Sequence, residues 1–187
     1  PVLVDIDPTT LNLDLDCVGA ALSPATRAVI PVHLAGMGVD VKALRTIVGS
    51  GVRIIEDAAH ALPTVSNGST VGACRDSDAA VFSFYATKTM TTGEGGMITT
   101  RDPQIASRCR IMRLHGIDRD AFDRYRSTKP AWFYDITAAG YKYNMPDTAA
   151  AIGRVQLRRS DRMHLRRSEL AERYIAELGD LSLEMPL

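Results

Sequence analysis

The chain has 187 residues, 45% hydrophobic and 24% charged, with 22 lysines and arginines balancing 22 aspartates and glutamates. That length supports one domain with a sizeable core, and that composition excludes a disordered or fibrous chain. A formal net charge of zero gives no overall field to draw nucleic acid or an anionic membrane, so any partner must be recognised by a local site.

Cys17, Cys74 and Cys109 are odd in number, widely spaced and outside any CxxC pair. They argue against a disulfide framework and a zinc site, and point to a reducing, cytoplasmic setting. No run approaches the roughly 18 apolar residues of a membrane span. The opening PVLVDID has neither the basic start nor the apolar core of a signal peptide. The chain begins on Pro1, already inside a predicted strand, and reads as cut at the front.

Residues 2–6 are short, β-branched and apolar, which predicts a strand. Asp7-Pro8 turns the chain into a helix over residues 14–22, and residues 27–32 predict a second strand, making a β–α–β unit. A helix over 40–48 ends at Gly49-Ser50-Gly51. The buried strand 52–55 follows, stopping at Glu56-Asp57. The repeat predicts an α/β fold with a mainly parallel sheet and flanking helices.

Beyond a polar loop (66–78) with a turn at Asn67-Gly68, residues 79–84 and 96–100 predict two more strands. They are separated by a Thr- and Gly-rich loop over 85–95. The periodicity is helical over 103–114, irregular over 117–139, and helical again from Pro146 almost to Leu178, with Asp147 in the first turn. Met163, Leu170, Tyr174 and Leu178 fall on one stripe of that last helix.

Open α/β sheets bind ligands at the carboxyl ends of their strands, and both Asp57 and the loop containing Lys88 follow strands directly, so they are expected to face one crevice. Taken alone, Asp57 is equally well read as a helix cap or a solvated strand end. A lysine on a Gly/Thr-rich loop at that edge is a candidate nucleophile if it is desolvated.

The segments IIEDAAHALP, VFSFYATKTMTTGEGGMI and GYKYNMPDTAAAIGRVQL, in that order, resemble the DegT/DnrJ/StrS-type sugar-nucleotide aminotransferases. These are fold-type-I enzymes that use pyridoxal 5'-phosphate (PLP). The resemblance covers nearly the whole chain. A serine five residues before a lysine is a weak signal, and so is GEGG. Together, downstream of EDAAH, they are specific. The GYKYN segment is similar to the branch that makes 4-amino-4-deoxyarabinose nucleotide.

The resemblance implies a partial PLP-binding large domain over residues 1–145, and over 146–187 a helical connection into an incomplete C-terminal small domain. It implies that Lys88 holds the cofactor covalently and, once freed, moves the substrate proton, while Asp57 pairs with the pyridine nitrogen. His60 stands where the family has Gln or His near the ring hydroxyl, with a structural histidine as the competing reading. Ser83 matches a donor to the cofactor phosphate, against a buried serine bonded to backbone. Asn144 matches an asparagine reaching the neighbouring subunit's phosphate, which implies a homodimer, against a loop residue ahead of Pro146.

His115 belongs to a recurring family segment and is read as structural. The arginines at 154, 158, 159, 162, 166 and 167 resemble a nucleic-acid-binding face, but Asp161, Glu169 and Glu172 interrupt the run and a solvated helix face explains it. Trp132, Phe133 and Tyr134 are either a substrate entrance or a loop anchor.

The implied reaction is transamination of a nucleotide-linked keto-sugar in amino-sugar biosynthesis, with an amino acid, glutamate, as donor. Lysine at 88 argues against the family's dehydratases, which carry histidine there. Family members are longer, and the part before Pro1 would supply a phosphate-gripping loop and an aromatic residue stacked on the ring. The rival reading is a non-catalytic remnant that keeps the fold and the site residues.

Overall fold

The helices start at capping acids. Asp14 accepts from the Asp16 and Cys17 N–H groups ahead of α1 (Leu15–Ala21), and Asp40 accepts from the Ala43 N–H ahead of α2 (Val41–Val48). Each satisfies donors that a first helical turn leaves open. In the computed structural model, which describes residues 1–118 and 134–182, Val18 of α1 and Leu44 and Val48 of α2 enclose Ile54 in one apolar cluster.

The strands in chain order are β1 (Ala28–Val29), β2 (Arg53–Asp57), β3 (Val65–Ser66), β4 (Ser69–Thr70), β5 (Ala79–Ser83) and β6 (Gly96–Thr99). Four of them form a sheet in the order β1-β2-β5-β6, parallel from β1 through β5 and antiparallel at β6. The mainly parallel α/β expectation therefore holds. Strands β3 and β4 form a separate hairpin. Its turn, Asn67-Gly68, has positive φ at both residues (48° and 72°), the geometry that a two-residue hairpin requires.

Three elements differ from the sequence pattern. Residues 2–6 form no strand of the sheet. Val2 and Leu3 are exposed, and a lone bridge joins Ile6 to Leu13. A β-branched run becomes a strand only beside a partner, and here Asp7 folds the segment back by accepting from the Thr9 and Thr10 N–H groups. The expected strand at 27–32 shrinks to two residues. Pro31 cannot donate to a ladder, although its carbonyl still accepts from the Asp57 N–H at 2.8 Å. The strand near 96–100 is antiparallel, because the loop after β5 doubles back as a hairpin without a crossover helix.

The pleat separates the sheet's two faces. Ile54, Glu56, Ala80 and Phe82 lie on the buried face. Phe82 belongs to a second core cluster with Ala58, Ala61, Val71, Cys74, Phe84 and Met90. Asp57, Val81 and Ser83 lie on the other face, where Val81 is exposed.

Asp102 caps α3 (Pro103–Met112), and α4 (Asp147–Leu178) runs for 32 residues with Gly153 as its buried residue. On the expected stripe of α4, Leu170 and Tyr174 are exposed. Arg166 pairs with Glu169 and Arg173 with Glu177 along the surface of this helix. Among the described residues no helix is long and apolar enough to cross a membrane.

Candidate active site

Strand β2 delivers Asp57 to the carboxyl edge of the sheet and fixes it from both sides. The Asp57 N–H donates to the Pro31 carbonyl, its own carbonyl accepts from the His33 N–H at 3.1 Å, and the Ala58 N–H donates to the Val81 carbonyl at 2.9 Å. The side chain is half-buried, and its Oδ1 accepts from the Ala59 N–H at 3.0 Å. Oδ2 has no hydrogen-bond partner among the described residues. The register pairs Asp57 with Val81, so Ser83, two residues further along β5, emerges on the same face.

Lys88 sits on the loop that continues from Ser83. The base of this loop is closed by the Phe84 N–H donating to the Gly95 carbonyl at 2.8 Å and the Thr92 N–H donating to the Phe84 carbonyl at 3.0 Å. Inside it the Lys88 N–H donates to the Tyr85 carbonyl at 3.0 Å, and Ser83 Oγ accepts from the Tyr85 N–H at 3.3 Å. Phe84 and Met90 are buried on either side of the lysine in sequence and pin the loop to the core. Lys88 itself is half-buried, and its ammonium has no hydrogen-bond or ion-pair partner among the described residues. Backbone hydrogen bonds thus fix the loop at Phe84, Lys88 and Thr92 while the Lys88 ammonium is left open.

The remaining expected residues are spread more widely. His60 follows β2 in a turn and is exposed, without a side-chain hydrogen bond among the described residues. Asn144 is half-buried on the segment leading into α4, and its Oδ1 accepts from Lys142 Nζ. No hydrogen bond joins Asn144 to Asp57, Ser83 or Lys88 within the chain. Tyr141 and Tyr143, which flank Lys142, are exposed and stacked with ring centroids 4.9 Å apart. His115 takes positive φ (57°), and its N–H donates to the Tyr141 carbonyl at 2.8 Å, which ties two backbone segments together. Trp132 and Phe133 lie outside the described residues, and Tyr134 is exposed.

Two groups of residues escaped the sequence pattern. Fully buried His33 accepts the Val39 N–H on Nδ1 at 3.0 Å, so its Nε2–H donates to Glu56 Oε2 at 2.9 Å. Glu56 Oε1 also accepts from Ser77. This network lies on the face opposite Asp57, so adjacent acids serve different sides of the sheet. Glu56 and Ser77 line a cavity of about 60 Å³ there, together with Lys42 and Asp76 among others. The second group is Thr92 with Gly153, which meet across the loop and α4.

Among the described residues, an open carboxylate oxygen on Asp57 and an unpaired ammonium on Lys88 thus stand at the carboxyl edge of an α/β sheet, the edge where such sheets bind ligands. The model of the DegT/DnrJ/EryC1/StrS aminotransferase family matches residues 1–187, and the chain belongs to that family. It is 45% identical over 175 residues to the spore coat polysaccharide biosynthesis protein SpsC of Bacillus subtilis (strain 168), covering 93% of this chain and 44% of SpsC. Among solved structures it is similar to the sugar aminotransferase CalS13 from Micromonospora echinospora, with 35% identity and a TM-score of 0.81 over 96% of this chain and 48% of that one. It also resembles Spr1654 from Streptococcus pneumoniae in its PMP-form, with 32% identity and a TM-score of 0.85 over 96% of this chain and 50% of that one. The chain thus spans about half the length of each of these proteins.

Proposed function

We propose that this chain forms the lysine-bearing part of a PLP-dependent aminotransferase that moves an amino group from glutamate to a nucleotide-linked keto-sugar. The observation that carries the reading is the pair of unsatisfied charges, Asp57 Oδ2 and the Lys88 ammonium, at one edge of a sheet whose other buried acid is fully bonded. Those residues fit PLP by donor chemistry: a carboxylate for a protonated ring nitrogen, an amine for an aldehyde, and a hydroxyl at Ser83 for a phosphate. The PMP-form of Spr1654 supports the choice of cofactor, and the names of SpsC and CalS13 support a sugar acceptor.

When bound, PLP supplies an electron sink for the carbanion that forms on loss of the substrate proton. Lys88 would hold it through the side-chain nitrogen and, once displaced by the incoming amine, carry that proton between substrate carbon and cofactor. Asp57 would keep the ring nitrogen protonated through a charge-assisted hydrogen bond, and Ser83 would donate to the phosphate. His60 would stand beside the ring hydroxyl. Asn144 is assigned to the phosphate of a second copy, supported by its lack of any bond to its own site and by the exposed Tyr141 and Tyr143 around it. The working unit in this reading is a cytoplasmic homodimer.

PLP titration followed by visible absorbance tests the proposal. This protein is expected to develop a visible band that glutamate removes and a nucleotide-linked keto-sugar restores. Lys88→Ala is expected to show no such band. Equal signals from the two proteins would exclude Lys88 as the attachment point, and no band in either would favour the non-catalytic remnant.

A further inference from the structure

Helix α4 approaches the Lys88 loop closely at Gly153. A methyl group placed at Gly153 would lie 2.9 Å from Thr92 Cγ2 and 3.9 Å from Met90 Cε. All three residues are buried, Thr92 at 6% exposure although it is polar. Gly95 also approaches Thr92 closely. A Cβ at Gly95 would lie 2.4 Å from Thr92 Oγ1 and 3.0 Å from Cε of Met145, the residue that leads into α4.

Two hydrogen bonds also tie the threonine to the loop. Its N–H donates to Phe84 and its hydroxyl donates to the Glu94 carbonyl at 2.7 Å, so any shift of its side chain pulls on the two backbone strands that close the loop. Glycine in the interior of a helix is a poor helix former, and its presence at 153 is accounted for by this approach of the loop.

We propose that Gly153 and Thr92 are positioning residues, a packing contact through which α4 sets the placement of the loop that carries Lys88. This rests on the assignment of Lys88 as the cofactor-holding lysine, but the contact itself is tested independently of it. Gly153→Ala adds a methyl that Thr92 must escape, while alanine improves the helix. Thr92→Ser removes Cγ2 and keeps the hydroxyl that bonds Glu94. The double variant therefore restores the space without removing the hydrogen bond.

Amide hydrogen exchange at Phe84 and Lys88 reads the loop directly. Gly153→Ala is expected to accelerate exchange there about tenfold, the equivalent of about 1.4 kcal/mol. The double variant is expected to return close to the parent rate. In the PLP-loaded protein, the pH at which the visible band titrates is expected to shift in Gly153→Ala and return in the double variant. Unchanged loop exchange in Gly153→Ala, or acceleration that Thr92→Ser does not reverse, would overturn the contact. Absence of a visible band in the parent protein would instead favour the non-catalytic remnant, and the exchange rates would still decide the contact.

Discussion

At the amino-terminal ends of β2 and β5, Asp78 is bonded through both carboxylate oxygens, whereas at the carboxyl-terminal ends Asp57 keeps one oxygen open. Asp78 Oδ2 accepts from the Ile54 N–H at 2.8 Å and from Arg45 Nη2 at 2.7 Å, and Oδ1 accepts from Arg53. Arg45 is itself anchored, donating to the Asp76, Gly49 and Val52 carbonyls. Burial pushes the Asp78 carboxyl up, but the Ile54 N–H and the Arg53 and Arg45 guanidinium groups outweigh it and hold the pKa below its ordinary value of 3.8. A saturated acid tightens the fold, while an acid held rigidly and left half-bonded is available to a ligand.

Removing the charged group that touches no protein partner gives the largest expected effect. In the proposed reaction, Lys88→Ala is expected to lower amination by about a thousandfold or more while leaving the unfolding midpoint in urea unchanged, because the ammonium makes no bond within the described chain. A loss of stability instead would move Lys88 to the structural side of the comparison.

Asp57→Asn is the next in size. It keeps the Ala59 contact and loses the charge, so it is expected to slow amination about a hundredfold, or about 2.7 kcal/mol, again with little change in the unfolding midpoint. Asp78→Asn should behave in reverse. It is expected to cost about 1–3 kcal/mol of stability in urea unfolding, towards the lower end because Arg53 is 61% exposed and its pairing is screened. PLP attachment is expected to survive in this variant. If both asparagine variants lost stability equally, the contrast between the edges would collapse.

The smallest expected effect is in pH. Because the folded-state pKa of Asp78 is depressed, its contribution is present above the ordinary value of 3.8 and is lost as the pH falls through the folded value. The stability difference between the parent and Asp78→Asn should therefore narrow as the solution is acidified below that value. A difference that stayed constant would mean that the carboxylate charge contributes nothing.

Features governed by neighbouring residues were legible in the sequence. The helix starts near Asp14 and Asp40, the Asn67-Gly68 turn, the end of β2 at Asp57 and the loop after Ser83 all follow from chemistry within a few residues. Features that need a partner distant in the chain were not. Residues 2–6 carry a strand's composition without a neighbouring strand, and nothing near residue 96 states that β6 runs antiparallel. His33 with Glu56 and Thr92 with Gly153 are pairings across separate elements, and their residue types carry no local signal of the contact. At the candidate site, Asp57, Ser83 and Lys88 were nominated from motif and strand order. The open state of Oδ2 and the packing of α4 on the loop emerged only from the fold.

The central claim, that Lys88 is the residue left open for a covalent ligand, is tested most directly by trapping. The protein carries four lysines, at 42, 88, 129 and 142. Incubation with PLP, reduction with borohydride and peptide mapping by mass spectrometry would identify the modified one. Stoichiometric label on Lys88 is the predicted result. Label on Lys42, Lys129 or Lys142 instead, or spread evenly over all four, would contradict it.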